Sequence, residues 1–138
     1  MTRNEAREIM MQILYEMEAA DEMNEETVRK LTQERLSGGH VQRGQALLSE
    51  IVANIDAIDD RINTCSTRWK TSRMAKVDLA ILRLAIGEMT YAEDIPDAVA
   101  VNEAINLGKK YIKADSSRFI HGVLGAVSKE GKSNEEKQ

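Results

Sequence analysis

The sequence predicts an all-α protein, and three observations carry that prediction. Apolar residues recur at i, i+3, i+4 and i+7 in one segment after another. Val, Ile and the aromatic residues do not fall in short alternating runs, which removes the sandwich and barrel classes. The chain has a single proline, Pro96, so long helical stretches run without interruption. At 138 residues the chain is the size of one domain. Its 42% hydrophobic content is enough for a packed core and too much for wholesale disorder.

The elements follow in order. Ala6, Ile9, Met10, Ile13, Leu14 and Met17 form one stripe of a helix over about residues 3–20. Thr2 stands where a cap is needed, and Glu5 three residues later matches a capping box. Asp21 to Asn24 breaks the period. A second helix is expected from Glu25 to Leu36, with Asn24 as cap and Val28, Leu31 and Leu36 facing inward. Ser37-Gly38-Gly39 is a stop signal. A long helix is then expected from about Gln42 to Cys65, because Leu48, Ile51, Ile55, Ile58, Ile62 and Cys65 hold the spacing.

Residues 66–72 read as a polar loop around a lone Trp69. From Arg73 to Ala92 apolar residues cover most of the helix circumference, so this helix is expected to be buried at the centre of the fold. Pro96 breaks that helix and opens the next, over 97–112, with Ala98, Val101, Ile105 and Gly108 on one face. Asp115 or Ser116 can cap the last helix, which carries Phe119, Ile120, Val123, Leu124 and Val127. From Lys129 the chain is polar, and a disordered tail is expected over 129–138. The total is about six helices in one domain, residues 1–128.

Several function classes find no support. Cys65 is alone and lies on an apolar stripe, so a structural thiol is expected, with no disulfide. His40 and His121 are far apart and no ligand spacing implies a metal. No GxxxxGK[ST], GxGxxG or GxSxG pattern occurs. Gly122 and Gly125 fall inside a helical pattern, where close helix packing is the expected role. The acid pairs Asp59-Asp60, Glu25-Glu26 and Glu93-Asp94 read as solvated surface. The first 13 residues carry Arg3, Glu5, Arg7 and Glu8 and do not form a signal peptide. No run of about 18 apolar residues exists to span a membrane, and a cytoplasmic protein is expected.

Charge is distributed unevenly. The net charge of −4 and pI near 5.3 argue against nucleic-acid binding by bulk charge. Yet the first 34 residues alone hold nine acids and four bases. Residues 68–76 hold Arg68, Lys70, Arg73 and Lys76 with no acid, and residues 109–118 hold Lys109, Lys110, Lys113 and Arg118 against Asp115. These stretches read equally well as a phosphate-binding patch and as solvated helix ends. Tyr15 lies just off the first helix's apolar stripe, and Phe119 follows Arg118. An aromatic beside a cation suits stacking on unpaired bases, and for Phe119 a core contact fits the pattern as well. Arg3 and Arg7 share a face at i, i+4 spacing, diluted by Glu5 and Glu8.

Taken in order, several blocks resemble the NusB family of bacterial transcription antitermination factors. They are Ala6-Arg7-Glu8 with Ile13-Leu14-Tyr15, and Ile81-Leu82-Arg83-Leu84-Ala85-Ile86-Gly87-Glu88. Then come Asp94-Ile95-Pro96, Ala100-Val101-Asn102-Glu103-Ala104-Ile105, Lys109-Lys110-Tyr111 and Ser117-Arg118-Phe119-Ile120-His121-Gly122-Val123-Leu124. The resemblance spans about residues 3–128.

It implies two small helical bundles packed together, no enzymatic activity and no cofactor. It implies binding to the single-stranded boxA element of ribosomal RNA leaders together with ribosomal protein S10, called NusE in that role. The pair would join other Nus factors in an antitermination complex on RNA polymerase, and a homodimer is a further state the family allows. By position the resemblance places RNA contacts at Arg3, Arg7, Tyr15, Arg118 and Phe119, and NusE contacts at Asp78 and Asp115. Asn102, Glu103 and Arg83 are expected to hold inter-helix hydrogen bonds. The chain departs from the family at Asn4 and Glu5, which interrupt the opening arginines, and at Gly87, His121 and Gly125.

Two other readings compete. RNA methyltransferases that modify cytosine carry a similar domain, but no cofactor-binding domain is expected within these 138 residues. A helical protein-interaction adaptor without RNA binding is the alternative that the acidic pI favours.

Overall fold

The computed structural model describes the backbone of residues 1–111 and 114–136, and side chains within 1–111 and 117–129. Those residues form seven α-helices, and no strand occurs among them. The helices are α1 (Arg3–Ala20), α2 (Glu25–Arg35), α3 (Gly39–Ala53), α4 (Ile55–Cys65), α5 (Lys76–Tyr91), α6 (Asp97–Tyr111) and α7 (Ala114–Glu136). A single 3-10 turn, Thr71–Arg73, lies between α4 and α5.

The caps act as the sequence predicts. Thr2 Oγ1 accepts the Glu5 amide at 3.1 Å, and Asn24 Oδ1 accepts the Thr27 amide at 2.9 Å. Asp21 ends α1 in the left-handed region, φ 54°, and its amide reaches back to the carbonyls of Glu18 and Met17. Gly38, at φ 58°, turns the chain from α2 into α3 where a side chain would be strained.

The single long helix expected from Gln42 to Cys65 is two. Asn54 adopts φ −119° and ψ 24°, ending α3 and starting α4. Its side-chain amide donates to the Glu50 carbonyl at 2.8 Å, so the side chain competes for a backbone acceptor. The apolar period survives the break, with Leu48, Ile51, Ile58 and Ile62 all buried. Periodicity alone therefore cannot reveal it.

Helix α5 is central, as its all-round apolar pattern predicts. Every residue from Asp78 to Glu88 is buried. It packs against α1, α3, α4, α6 and α7. Helices α1–α3 and α4–α7 thus make two bundles that share α5 and one continuous apolar core. Gly87 explains one family departure. A Cβ there would sit inside the Ile51 side chain of α3, so the missing side chain lets the helices close up.

Three details differ from expectation. The buried face of α6 is Ala100, Ala104 and Gly108, while Ala98 is exposed. Gly122 and Gly125 face open space and do not mediate helix packing. Helix α7 begins at Ala114, ahead of the expected caps, and continues to Glu136 through the stretch where composition predicts a tail.

Candidate nucleic-acid interface

One face of α1 carries the half-buried Glu8 and Gln12 and the exposed Tyr15, spaced i, i+4 and i+7. It meets the C-terminal end of α6. Lys110 Nζ lies 2.6 Å from Glu8 Oε1, the Tyr111 hydroxyl donates to the same oxygen, and Gln12 Nε2 donates to Tyr111 at 2.8 Å. The Lys110 ammonium also stands 5.8 Å from the Tyr111 ring centre. Bonds from Lys110 and then Tyr111 hold the Glu8 carboxyl below its usual range. Tyr111 is held above its own range by burial and then by its bond to Glu8.

Arg118 joins this end of the molecule through the α6–α7 packing. Gly108 lies against Ser117 and Ile120, which brings the first turns of α7 beside Lys109–Tyr111. Arg118 is exposed, Tyr15 is 39% exposed and Tyr111 38%. Phe119 is half-buried and packs against the core, so the core contact left open by its pattern is made.

The two arginines of α1 have different places. Arg3 is exposed and pairs at 2.8 Å with Asp94, which Arg43 also contacts at 2.5 Å. Arg7 is not on the surface where the resemblance places it. It is 8% exposed, and its Nε and Nη2 hold Glu88 of α5 at 2.9 Å each. Its Nη1 donates to Asn4 Oδ1 at 3.0 Å, with Glu103 at 4.0 Å. Glu88 is 2% exposed, so the pair is a strut between α1 and α5.

Arg83 is the matching strut on the other side. It grips Asp59 of α4 at 2.9 and 2.7 Å and Glu18 of α1 at 2.8 Å, the inter-helix role expected of it. Its hydrogen bond is the main reason Glu18 stays below the usual carboxylate range. Glu103 reaches Arg7, whereas Asn102 is exposed on α6.

Asp78, in the first turn of α5, is buried to 9% exposure, and its Oδ1 has no hydrogen-bond partner. Burial alone pushes its carboxyl up. That oxygen is itself buried, so no partner's donor reaches it while α5 keeps this packing. The Asp115 side chain lies outside the described residues.

Sequence reasoning misses Gln12, Tyr111 and the role of Glu8. The i, i+4, i+7 spacing of Glu8, Gln12 and Tyr15 is a signal that could find the face. Its meeting with α6 depends on tertiary packing. No group of three or more His, Cys, Asp or Glu among the described residues is placed to hold a metal, and no helix there is long and apolar enough to cross a membrane.

Comparison with known proteins agrees with this architecture. The NusB family pattern matches residues 4–129. The transcription antitermination protein NusB of Alkaliphilus oremlandii is 41% identical, with 95% of this chain and 96% of that protein covered. That of Acetivibrio thermocellus is 42% identical, with 94% and 90% covered. T. maritima NusB superposes with a TM-score of 0.84 at 27% identity, covering 94% of this chain and 92% of that one. A chain from a crystal structure of the antitermination factors NusB and NusE in complex with dsRNA shares the fold, with a TM-score of 0.79 at 24% identity, covering 93% of this chain and 96% of that one. On the family match and on the identity across nearly its whole length, this chain belongs to the NusB family of transcription antitermination proteins.

Proposed function

We propose that this chain binds the single-stranded boxA element of ribosomal RNA leaders together with ribosomal protein S10 (NusE), within the cytoplasmic antitermination complex on RNA polymerase. The observation that carries the reading is the junction of α1, α6 and α7. It sets two exposed aromatic rings, Tyr15 and Tyr111, beside Lys110, with the exposed Arg118 on the turn of α7 that adjoins Gly108, in a chain that is acidic overall. Aromatic faces beside cations bind unpaired bases by stacking while the cations meet phosphate. Phe119 anchors the turn that carries Arg118, and Arg3 extends the cationic edge. Arg7 acts here by holding α1 in register against α5.

The same junction accounts for a need for S10. Glu8 neutralises Lys110, and Asp94 is shared between Arg3 and Arg43, so the positive charge left for RNA alone is reduced. S10 would add surface, and Asp78, in the first turn of α5, is proposed as one contact to it. Asp115 is proposed as a second contact to S10.

A gel-shift titration with boxA RNA, with and without S10 and at two salt concentrations, tests this. Binding tightens with S10 and falls steeply with salt. Arg118→Ala and Tyr15→Ala weaken it without unfolding the protein. Equal binding with and without S10 removes the cooperative mechanism. Binding to S10 with no RNA contact in the pair returns the chain to the adaptor reading.

A further inference from the structure

We infer that the loop between α4 and α5 is a second single-stranded RNA contact, with Trp69 as its stacking platform. The inference rests on the RNA-binding reading above and extends it to residues outside the α1–α6–α7 junction. Trp69 is 47% exposed, level with Met1 as the most exposed of the large apolar residues. No acid occurs between Asp60 and Asp78, while Arg68, Lys70, Arg73 and Lys76 are all exposed. Arg68 and Arg73 make no ion pair among the described residues, and Lys76 only approaches Glu18 at 3.6 Å.

The loop is held rather than loose. Ser66, 5% exposed, accepts the Trp69 amide at 3.2 Å and donates to the Trp69 carbonyl at 2.5 Å. Asn63 accepts the Thr71 amide at 2.8 Å, its side-chain amide donates to Thr71 Oγ1 at 3.3 Å, and its carbonyl takes Lys70 Nζ at 2.9 Å. These bonds tie both sides of Trp69 to the last turn of α4. The indole is therefore presented without help from its own packing, which lowers the ordering cost of a ligand that stacks on it.

Nucleic acid fits this surface better than an acidic peptide does. Carboxylates would satisfy the cations but leave the indole face bare, whereas a base stacks on the ring while its phosphates meet the cations. The loop also continues the first site. Lys76 and Arg83 both reach Glu18 on α1, one turn from Tyr15. Lys76 at the end of the loop therefore stands near Tyr15, with the Glu18 carboxylate between them.

Trp69 is the one tryptophan in the chain, so its emission reports on this loop alone. Single-stranded RNA titrated into the full chain at low salt quenches Trp69. Trp69→Ala weakens binding by roughly five- to a hundredfold, and Trp69→Phe retains most of the affinity. Arg68→Ala with Arg73→Ala flattens the dependence of log K on log salt by about 0.7 for each phosphate no longer neutralised. Inorganic polyphosphate or polyglutamate that quenches Trp69 as fully as RNA would overturn base stacking in favour of charge or a peptide partner. If RNA binding responds to Tyr15→Ala while Trp69 emission and the Trp69→Ala affinity stay unchanged, this inference fails and the α1 reading stands. Quenching of Trp69 with no response to Tyr15→Ala supports the loop and removes Tyr15 from the RNA path.

Discussion

The Arg7–Glu88 pair separates a structural arginine from an RNA-binding one. Arg7→Ala removes the three hydrogen bonds of 2.9 to 3.2 Å to Glu88, together with the one to Asn4, and leaves a carboxylate that is 2% exposed with no counter-ion. Breaking such a buried pair from one side costs about 3–5 kcal/mol, a large part of the roughly 5–15 kcal/mol that holds a domain together. Urea unfolding followed by circular dichroism reads the loss directly. With a slope of about 2 kcal/mol per molar, the midpoint falls by roughly 2 M. Arg7→Met with Glu88→Leu removes both charges, and stability returns to within about 1 kcal/mol of the parent. RNA affinity in that double variant stays within a few-fold of the parent, because the guanidinium does not reach the surface. An Arg7→Ala protein as stable as the parent would refute the strut. So would a stable double variant whose RNA affinity falls more than tenfold.

Three more outcomes follow from the geometry. Asp78→Asn stabilises the isolated chain by about 1 kcal/mol at neutral pH and weakens S10 binding. Because burial raises the native pKa of Asp78, the parent loses stability as pH rises from the ordinary Asp value of 3.8 through the raised one. The advantage of the variant over the parent is therefore complete above that window and absent below it, and an advantage no larger at pH 7 than at pH 3 would contradict the assignment. Glu8→Gln releases Lys110, so RNA affinity rises several-fold and log K falls more steeply with log salt, by about 0.7; unchanged binding would remove Lys110 from the interface. Gly87→Ala costs about 1–2 kcal/mol in thermal or urea unfolding despite its better helix propensity, because the new methyl forces the fully buried Ile51 side chain to shift. Ile51→Val recovers part of that loss.

The legible parts of this protein are those that local chemistry decides. The α1 stripe, the caps at Thr2 and Asn24, the break at Pro96 and the burial of α5 all follow from spacing and side-chain type, and all are present. The break at Asn54 is not legible, because the apolar period runs through it and one side-chain amide decides the matter. The face of α6 is displaced for a related reason. Small residues, Ala100, Ala104 and Gly108, line the tight contact, and larger apolar residues mark only its flank. Of the candidate site, Tyr15 and Arg118 can be placed by pattern, since an aromatic off a stripe and a cation at a helix start are local features. Arg7 cannot, because its role depends on a carboxylate 81 residues away.

The sequence by itself determined the helical class, the central helix, the uneven charge and, through ordered motifs, the family. Periodicity, capping and composition act within a few residues and need no knowledge of neighbours. Tertiary structure alone decided which charges are neutralised. It put Glu8 on Lys110, Glu88 on Arg7 and Asp94 on Arg3, left Asp78 without a donor, and kept Arg118, Arg68 and Arg73 in solvent. Coulomb attraction and desolvation act across space, so a cation's capacity to meet phosphate is fixed by the acid that packing brings to it.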